Sequence, residues 1–166
     1  AIEFYYKNRD YEAILSMNFK ADVLHEIHLD RSNKDMFMDI TTNTPQSLKK
    51  KYLRTYILFV YFLFLDNERE YFDRECESIY SIIENSYKNH ESYTELLGEY
   101  YVLQSFNQFN DLKKMKKNLE KAYELLKKPS RILGTRTSFM FCCPSPLALY
   151  HTKSGHILEE AEQLDD

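Results

Sequence analysis

The chain has 166 residues, of which 43% are apolar and 15% aromatic, so it can form a packed core and is not a disordered acidic chain. Its net charge of −4 argues against a general polyanion binder. Only three glycines and four prolines are present, which favours long helices over sheet. Three cysteines, an odd number, fit a reducing compartment better than a disulfide framework, so we expect a cytoplasmic protein.

Two short helices are predicted at the N-terminus. Ile2 and Tyr6 belong to the apolar stripe of the first, and Asp10 is placed to cap the second. Residues 18–43 are ambiguous. Apolar residues around Leu24 have helical spacing, whereas the polar sequence "DRSNKDMFMDITTNT" (30–44) predicts a connection.

A long helix is predicted from Pro45 through about Leu65. Thr44 would be its N-cap, and Pro45 would occupy the first helical position, where its missing N–H costs nothing. The second half is apolar nearly all round, which is typical of a helix at the centre of a bundle. Its apolar run "YILFVYFLFL" (56–65) has ten residues, half of what a bilayer span needs, so we expect no contact with a membrane.

Three more helices are predicted after this one. The first is capped by Asn67 and has an inward apolar face that includes Tyr71 and Tyr80 and reaches Ile83. The other two extend over 92–106 and 111–127. The segments 85–92 and 107–111 would separate them.

Helix starts near 46 and 67 recur near 92 and 111, an offset of about 45 residues, which is typical of repeated helix pairs. We therefore predict an all-α fold, a TPR-like α-α superhelix of antiparallel helix pairs with degenerate repeats. It would form a single helical-repeat domain over residues 1–166. Both ends of the chain are already in helical pattern, so we expect an internal fragment of a larger multidomain protein.

The segment "SFMFCCPSPLALYH" (138–151) looks most like a reactive site. Adjacent Cys142 and Cys143 in a Pro-rich turn would be expected to point in different directions, whereas zinc sites separate paired ligands by two to four residues. A disulfide between them would be strained, and a nucleophilic cysteine paired with His151 or His156 would need a third group to orient the base. No phosphate-binding loop, dinucleotide-binding glycine motif or H-E-x-x-H is present. We predict no metal site, no catalytic residue and no enzyme, with both cysteines as small apolar fillers beside a turn.

Two lysine clusters and the many tyrosines could belong to binding surfaces. Lys49–Lys51 and Lys113–Lys117 would suit phosphates, but acidic residues share the second helix, so solvated outer faces are predicted. Most of the 14 tyrosines are predicted to pack between helices, with a concave ligand surface as the alternative.

Three stretches together resemble one known family. They are "AIEFYYKNRDYEAIL" (1–15), "LLGEYYVLQSFNQFNDLKKMKKNLEKAYELLKKPSRIL" (96–133) and "TSFMFCCPSPLALYHTKSGHI" (137–157). They resemble the helical-repeat sensor region of MalT-like, LuxR-family ATP-dependent transcriptional regulators. The chain departs from the family pattern where Cys142-Cys143 replace Gly-Ser and Phe139 replaces Trp.

The resemblance implies an effector- or partner-sensing segment of a bacterial transcriptional regulator. The segment would couple binding of a small-molecule inducer or a regulatory protein to oligomerisation and to DNA-bound activation. DNA would be contacted only through a domain outside this chain, and the full-length protein would associate with itself. No cofactor is expected in this fragment, whereas ATP would bind an ATPase domain elsewhere in the full-length protein. The alternative is a general protein–protein interaction scaffold with TPR-like repeats and no small-molecule effector.

A long loop is predicted over 129–146, and loops of that length without their own secondary structure are often functional. The residues expected to bind the effector or partner lie on this loop or beside it: Arg136, Phe139, Phe141, Tyr150 and His151.

Overall fold

The computed structural model describes residues 2–108 and 111–133. In this part of the chain there are nine α-helices and no strand, which confirms the all-α prediction. The helices are α1 (Ile2–Lys7), α2 (Tyr11–Ser16), α3 (Ala21–Leu29), α4 (Lys34–Asn43), α5 (Gln46–Lys51), α6 (Leu53–Leu65), α7 (Arg69–Ile82), α8 (Tyr93–Asn107) and α9 (Leu112–Leu125). A 3-10 turn precedes α4, and a π-helical turn (Ile83–Tyr87) extends α7.

Helix α6 lies at the centre of the molecule, as its apolar sequence predicted. It packs against α2, α4, α7 and α8. Its side chains include Phe59, Val60 and Phe62, which are almost completely buried. Buried residues from Ile2 at one end to Ile132 at the other belong to the same apolar cluster. The all-round apolarity of α6 therefore reflects contacts on every side.

The predicted long helix over 45–65 is in fact two helices, because Tyr52 leaves helical geometry with φ −117° and ψ 35°. The predicted cap was also wrong. Pro45 is the N-cap residue of α5, and the Thr44 hydroxyl turns back to donate to Ile40 O at 2.6 Å. Thr44 therefore closes α4 instead of opening α5, since a threonine hydroxyl readily bonds to the carbonyl four residues earlier.

The prediction of a polar connection over 30–44 was wrong, because most of that segment is helix α4. Met36, Phe37 and Ile40 are buried on one face of α4, at helical spacing. Thr41, which has a weak helix propensity, is buried beside them, and its hydroxyl donates to Phe37 O at 2.9 Å. Burial of this narrow apolar face outweighs the polar composition of the segment.

The boundaries of α7 also differ from prediction. Asn67 adopts a positive φ of 61°, a conformation that asparagine tolerates, and Glu68 is the N-cap residue. At the other end the helix continues through the π-helical turn to Tyr87, beyond the break predicted at 85. Tyr71 and Tyr80, both predicted to face inward, are exposed.

Helices α8 and α9 form a hairpin joined by a short connection. Asp111 caps α9 by accepting the Lys114 N–H at 3.0 Å. Gly98 on α8 faces the end of α9, where a Cβ would lie 2.7 Å from Leu126 Cγ. The missing side chain therefore permits close contact between the two helices.

Candidate functional site

The residues predicted to bind an effector lie outside the described part of the chain: Arg136, Phe139, Phe141, Tyr150 and His151. Cys142, Cys143 and His156 lie there too. In residues 2–108 and 111–133, no group of three or more His, Cys, Asp and Glu side chains is arranged to hold a metal ion. Among the helices described, none combines the length and apolarity of a membrane span.

A concave polar site of about 540 Å³ opens between stretches of chain that are far apart in sequence: 15–18, 51–55, 87–96 and Arg131. We call it the basic cleft. Its principal polar side chains are Lys51, Tyr52, Arg54, His90, Ser92 and Arg131. Leu15, Leu53 and Leu96 also border it, but they are almost completely buried and expose little apolar surface. The site was missed from sequence because no single segment contains its pattern.

The irregular backbone at Tyr52, between α5 and α6, lies beside one wall of the basic cleft. Lys51 Nζ is 2.7 Å from Glu12 Oε1, and the Tyr52 hydroxyl donates to the same oxygen at 3.1 Å. These two hydrogen bonds lower the pKa of the Glu12 carboxyl, and the same contact raises the pKa of Lys51. Glu12 itself does not line the cleft.

Arg54 and the turn before α8 also line the basic cleft. The Arg54 guanidinium donates to Ser92 Oγ at 2.9 Å and to Glu95 Oε2 at 2.6 Å. The Ser92 backbone N–H donates to His90 Nδ1 at 3.1 Å, so the neutral ring carries its proton on Nε2. The Ser92 hydroxyl is thus held by an arginine and not by the histidine. This arrangement can bind a ligand, but it does not pair the serine with a base.

Arg131 reaches the cleft from the segment after α9. Its guanidinium donates to Asn18 Oδ1 at 2.8 Å and to Phe19 O at 3.0 Å. The segment is fixed by Glu99 on α8, whose carboxylate accepts the Arg131 N–H at 2.7 Å and the Ser130 hydroxyl at 2.6 Å. Glu99 is only 5% exposed. Burial raises the pKa of Glu99, and the hydrogen bonds from this segment oppose that change.

The raised pKa of Glu99 predicts a specific pH dependence. Because the folded pKa lies above its ordinary value of 4.5, the folded chain retains a proton that the unfolded chain has released. The stabilisation is complete below pH 4.5 and is lost as pH rises through the folded pKa. Glu99→Gln does not titrate. Its free energy of unfolding, relative to the unmodified chain, should therefore rise over that range.

Urea denaturation at a series of pH values measures this difference. Glu120→Gln, an exposed substitution on α9, is the control and should follow the unmodified chain at every pH. Parallel pH profiles for the two variants would contradict the assignment to Glu99.

A second concavity, of about 480 Å³, lies beside α1 and α3. We call it the acid-rimmed groove. Its floor is apolar, with Ile2, Met17, Phe19, Val23 and Ile27, and its polar lining includes Glu3, Glu26 and Asp30. The side chains of Phe4 and Leu29, on the same two helices, are also exposed.

A network of polar side chains around Lys49 and Glu75 is buried away from solvent. Lys49 and Glu75 are buried, with Lys49 Nζ 2.6 Å from Glu75 Oε2. The Tyr56 hydroxyl lies 2.6 Å from the same carboxylate oxygen and 2.9 Å from Thr41 O, and burial raises the pKa of Tyr56. The prediction of a solvated Lys49–Lys51 cluster was therefore wrong for Lys49. This buried network holds α5, α6 and α7 together.

Comparison with known proteins gives no match to a family model, a curated protein or a solved structure.

Proposed function

We propose that this chain is an effector-sensing segment of TPR-like helical repeats within a larger bacterial transcriptional regulator, and that it acts by binding and not by catalysis. The basic cleft is the observation that carries the proposal. Small-molecule sites are concave and have a few convergent polar groups, and a volume of about 540 Å³ lies in their usual range. The lining here is mainly polar, so the proposal depends on hydrogen bonds and charge and not on apolar contact.

The arrangement of helices supports the repeat part of the proposal. Consecutive pairs α6/α7 and α8/α9 are each joined by a short connection, and α8 packs against both α6 and α7. Helix α6 begins at Leu53 and α8 at Tyr93, about 40 residues later. Stacked helix pairs of this kind bury faces that one pair alone would leave exposed.

In the proposed mechanism, a ligand bridges the helix pairs. Lys51 and Arg54 flank the α5–α6 junction, Ser92 precedes α8, and Arg131 follows α9. A ligand held by all three parts favours one relative arrangement of the pairs, and this preference is the physical basis of a switch. Self-association, ATP binding and DNA binding would belong to the full-length cytoplasmic regulator and its other domains.

Filling the basic cleft tests the proposal without changing charge. The exposed Ser16 lines the cleft, so Ser16→Trp should block it, whereas Ser81→Trp places the same bulk on the exposed surface of α7. Titration calorimetry of the 166-residue chain with anionic, neutral and cationic metabolites should find a ligand that loses at least about tenfold in affinity only in Ser16→Trp. Equal affinity in the two variants, or no ligand among the three classes, would overturn the proposal.

The acid-rimmed groove favours a second candidate, a protein–protein interaction scaffold without a small-molecule effector. Its apolar floor and the exposed Phe4 and Leu29 resemble the surface that a partner protein covers. A stable partner that binds without any effector, and that Val23→Lys in the groove releases, would support this candidate.

A further inference from the structure

The basic cleft is lined by three cations, in a chain whose net charge is −4. Two of them are paired with carboxylates that do not line the cleft, Glu12 and Glu95. Lys51, Arg54 and Arg131 all line it, His90 adds a ring N–H, and none of the described residues that line it is Asp or Glu. A concave surface of one sign raises the local concentration of ligands with the opposite sign. We propose that the cleft is specific for an anionic small molecule, whose carboxylate or phosphate oxygens bind Lys51, Arg54 and Arg131. This inference rests on the cleft being the effector site.

The carboxylates that now pair with two of these cations are exposed and replaceable. In the Lys51–Glu12 pair the side chains are 59% and 51% exposed, and in the Arg54–Glu95 pair both are 45% exposed. Exposed ion pairs contribute little to stability, because water screens them and long side chains lose entropy in forming them. A ligand oxyanion can therefore take over these donors at small cost, through charge-assisted hydrogen bonds.

Arg131 is positioned for an anion in a different way. Its guanidinium donates to two neutral oxygens, Asn18 Oδ1 and Phe19 O, which orient it. Its charge also attracts the Glu99 carboxylate, but no hydrogen bond from the guanidinium to that carboxylate is formed. The Glu99 carboxylate accepts the backbone N–H of Arg131 and fixes the segment. A guanidinium held in this way has lost much of its conformational freedom before the ligand arrives, which favours binding.

The remaining lining suits a small polar molecule. His90 Nε2–H can donate to the uncharged part of the ligand. The Tyr52 hydroxyl donates its proton to Glu12, so it can only accept, and the Ser92 hydroxyl accepts from Arg54 and can still donate. A nucleic-acid backbone would need an extended row of positive charge, whereas these cations surround one concavity of about 540 Å³. The geometry therefore favours a small anion over a polymer.

Matched pairs of probes test the requirement for charge. Glycerol 3-phosphate is compared with glycerol, and succinate with 1,4-butanediol, in chemical-shift titrations of the 166-residue chain at low ionic strength. Each anion should bind at least about tenfold more tightly than its neutral partner, and added salt should weaken it. The anion that binds more tightly distinguishes a phosphate site from a carboxylate site.

Charge variants locate the effect. Lys51→Gln/Arg54→Gln removes two charges from the cleft, and Lys113→Gln/Lys117→Gln removes two from the exposed face of α9, so both have the same net charge. Only the cleft pair should lose anion binding, by at least about tenfold. Arg131→Lys keeps its charge but not the fork of donors and should have an intermediate effect.

The outcomes separate this inference from the proposed function. A ligand that Ser16→Trp excludes but Lys51→Gln/Arg54→Gln does not would overturn the anion inference and leave the effector site in place. Anion binding that is lost equally in both charge pairs would be general electrostatic attraction, and it would also overturn the inference. If neither anion binds more tightly than its neutral partner, the inference fails.

Discussion

Replacing Glu75 by alanine is expected to lower the free energy of unfolding by about 3–5 kcal/mol, because it leaves the buried Lys49 ammonium without its partner. Lys49 Nζ lies 2.6 Å from Glu75 Oε2, and both side chains are only 5–6% exposed. The same change removes one acceptor of the Tyr56 hydroxyl, although Thr41 O remains within 2.9 Å. The loss is therefore an uncompensated buried charge and not a missing surface contact.

Urea denaturation followed by circular dichroism measures the effect. Glu77→Ala removes an exposed carboxylate two residues away on the same helix and should change stability by less than about 0.5 kcal/mol. In Lys49→Met/Glu75→Leu both charges are replaced by apolar groups, so most of the lost stability should return. A single Glu75→Ala variant as stable as Glu77→Ala would contradict the buried pair.

Truncating Phe37 is expected to have a similarly large effect. The ring is 1% exposed and contacts the rings of His28, Phe59 and Phe62 at centroid distances of 5.2, 5.4 and 4.8 Å. Phe37→Ala removes these contacts and opens a cavity between α4 and α6, which costs about 3–5 kcal/mol. The effect would establish α4 as part of the core, in a segment whose sequence predicts a polar connection.

Thermal and urea unfolding of Phe37→Ala and Phe4→Ala provide the comparison. Phe4 is 66% exposed, so the same chemical change there should cost less than about 0.5 kcal/mol. Phe37→Leu retains much of the volume and should fall between the two. If Phe37→Ala unfolds like Phe4→Ala, α4 does not belong to the core.

Predictions from sequence succeed where a local pattern dominates. The apolar run of α6 identifies a buried helix without any knowledge of what packs against it. Asp10 caps α2 by accepting the Ala13 N–H at 2.9 Å, as its position predicted. Helix α4 was missed because few apolar residues define its buried face among Asp, Asn and Thr. The polar composition of residues 30–44 is an average over all sides of the helix, whereas its burial depends only on the side chains that face α6.

Tertiary contacts explain the other failures. Nothing near Lys49 in sequence shows that it is buried, because its partner Glu75 is 26 positions away. The lining of the basic cleft is likewise contributed by stretches that are far apart in sequence. The residues next to Lys51 and Arg54 in sequence do not show that these two cations line a concave surface. The effector residues predicted at 136–151 remain a prediction, because they lie outside the described residues.

The hydrogen bond from Arg131 to Asn18 also bears on how the chain folds and unfolds. It joins positions 113 apart, so it closes a loop that includes most of the described chain. In a linear array of repeats, units contact only their neighbours and the ends can open separately. Here Arg131 links the α2–α3 connection to the segment after α9, so we expect the two ends to open together and their amide hydrogen exchange to be correlated. Closing a loop of 113 positions costs more chain entropy than forming local contacts, so we expect this contact to form after the helices and the α8–α9 hairpin.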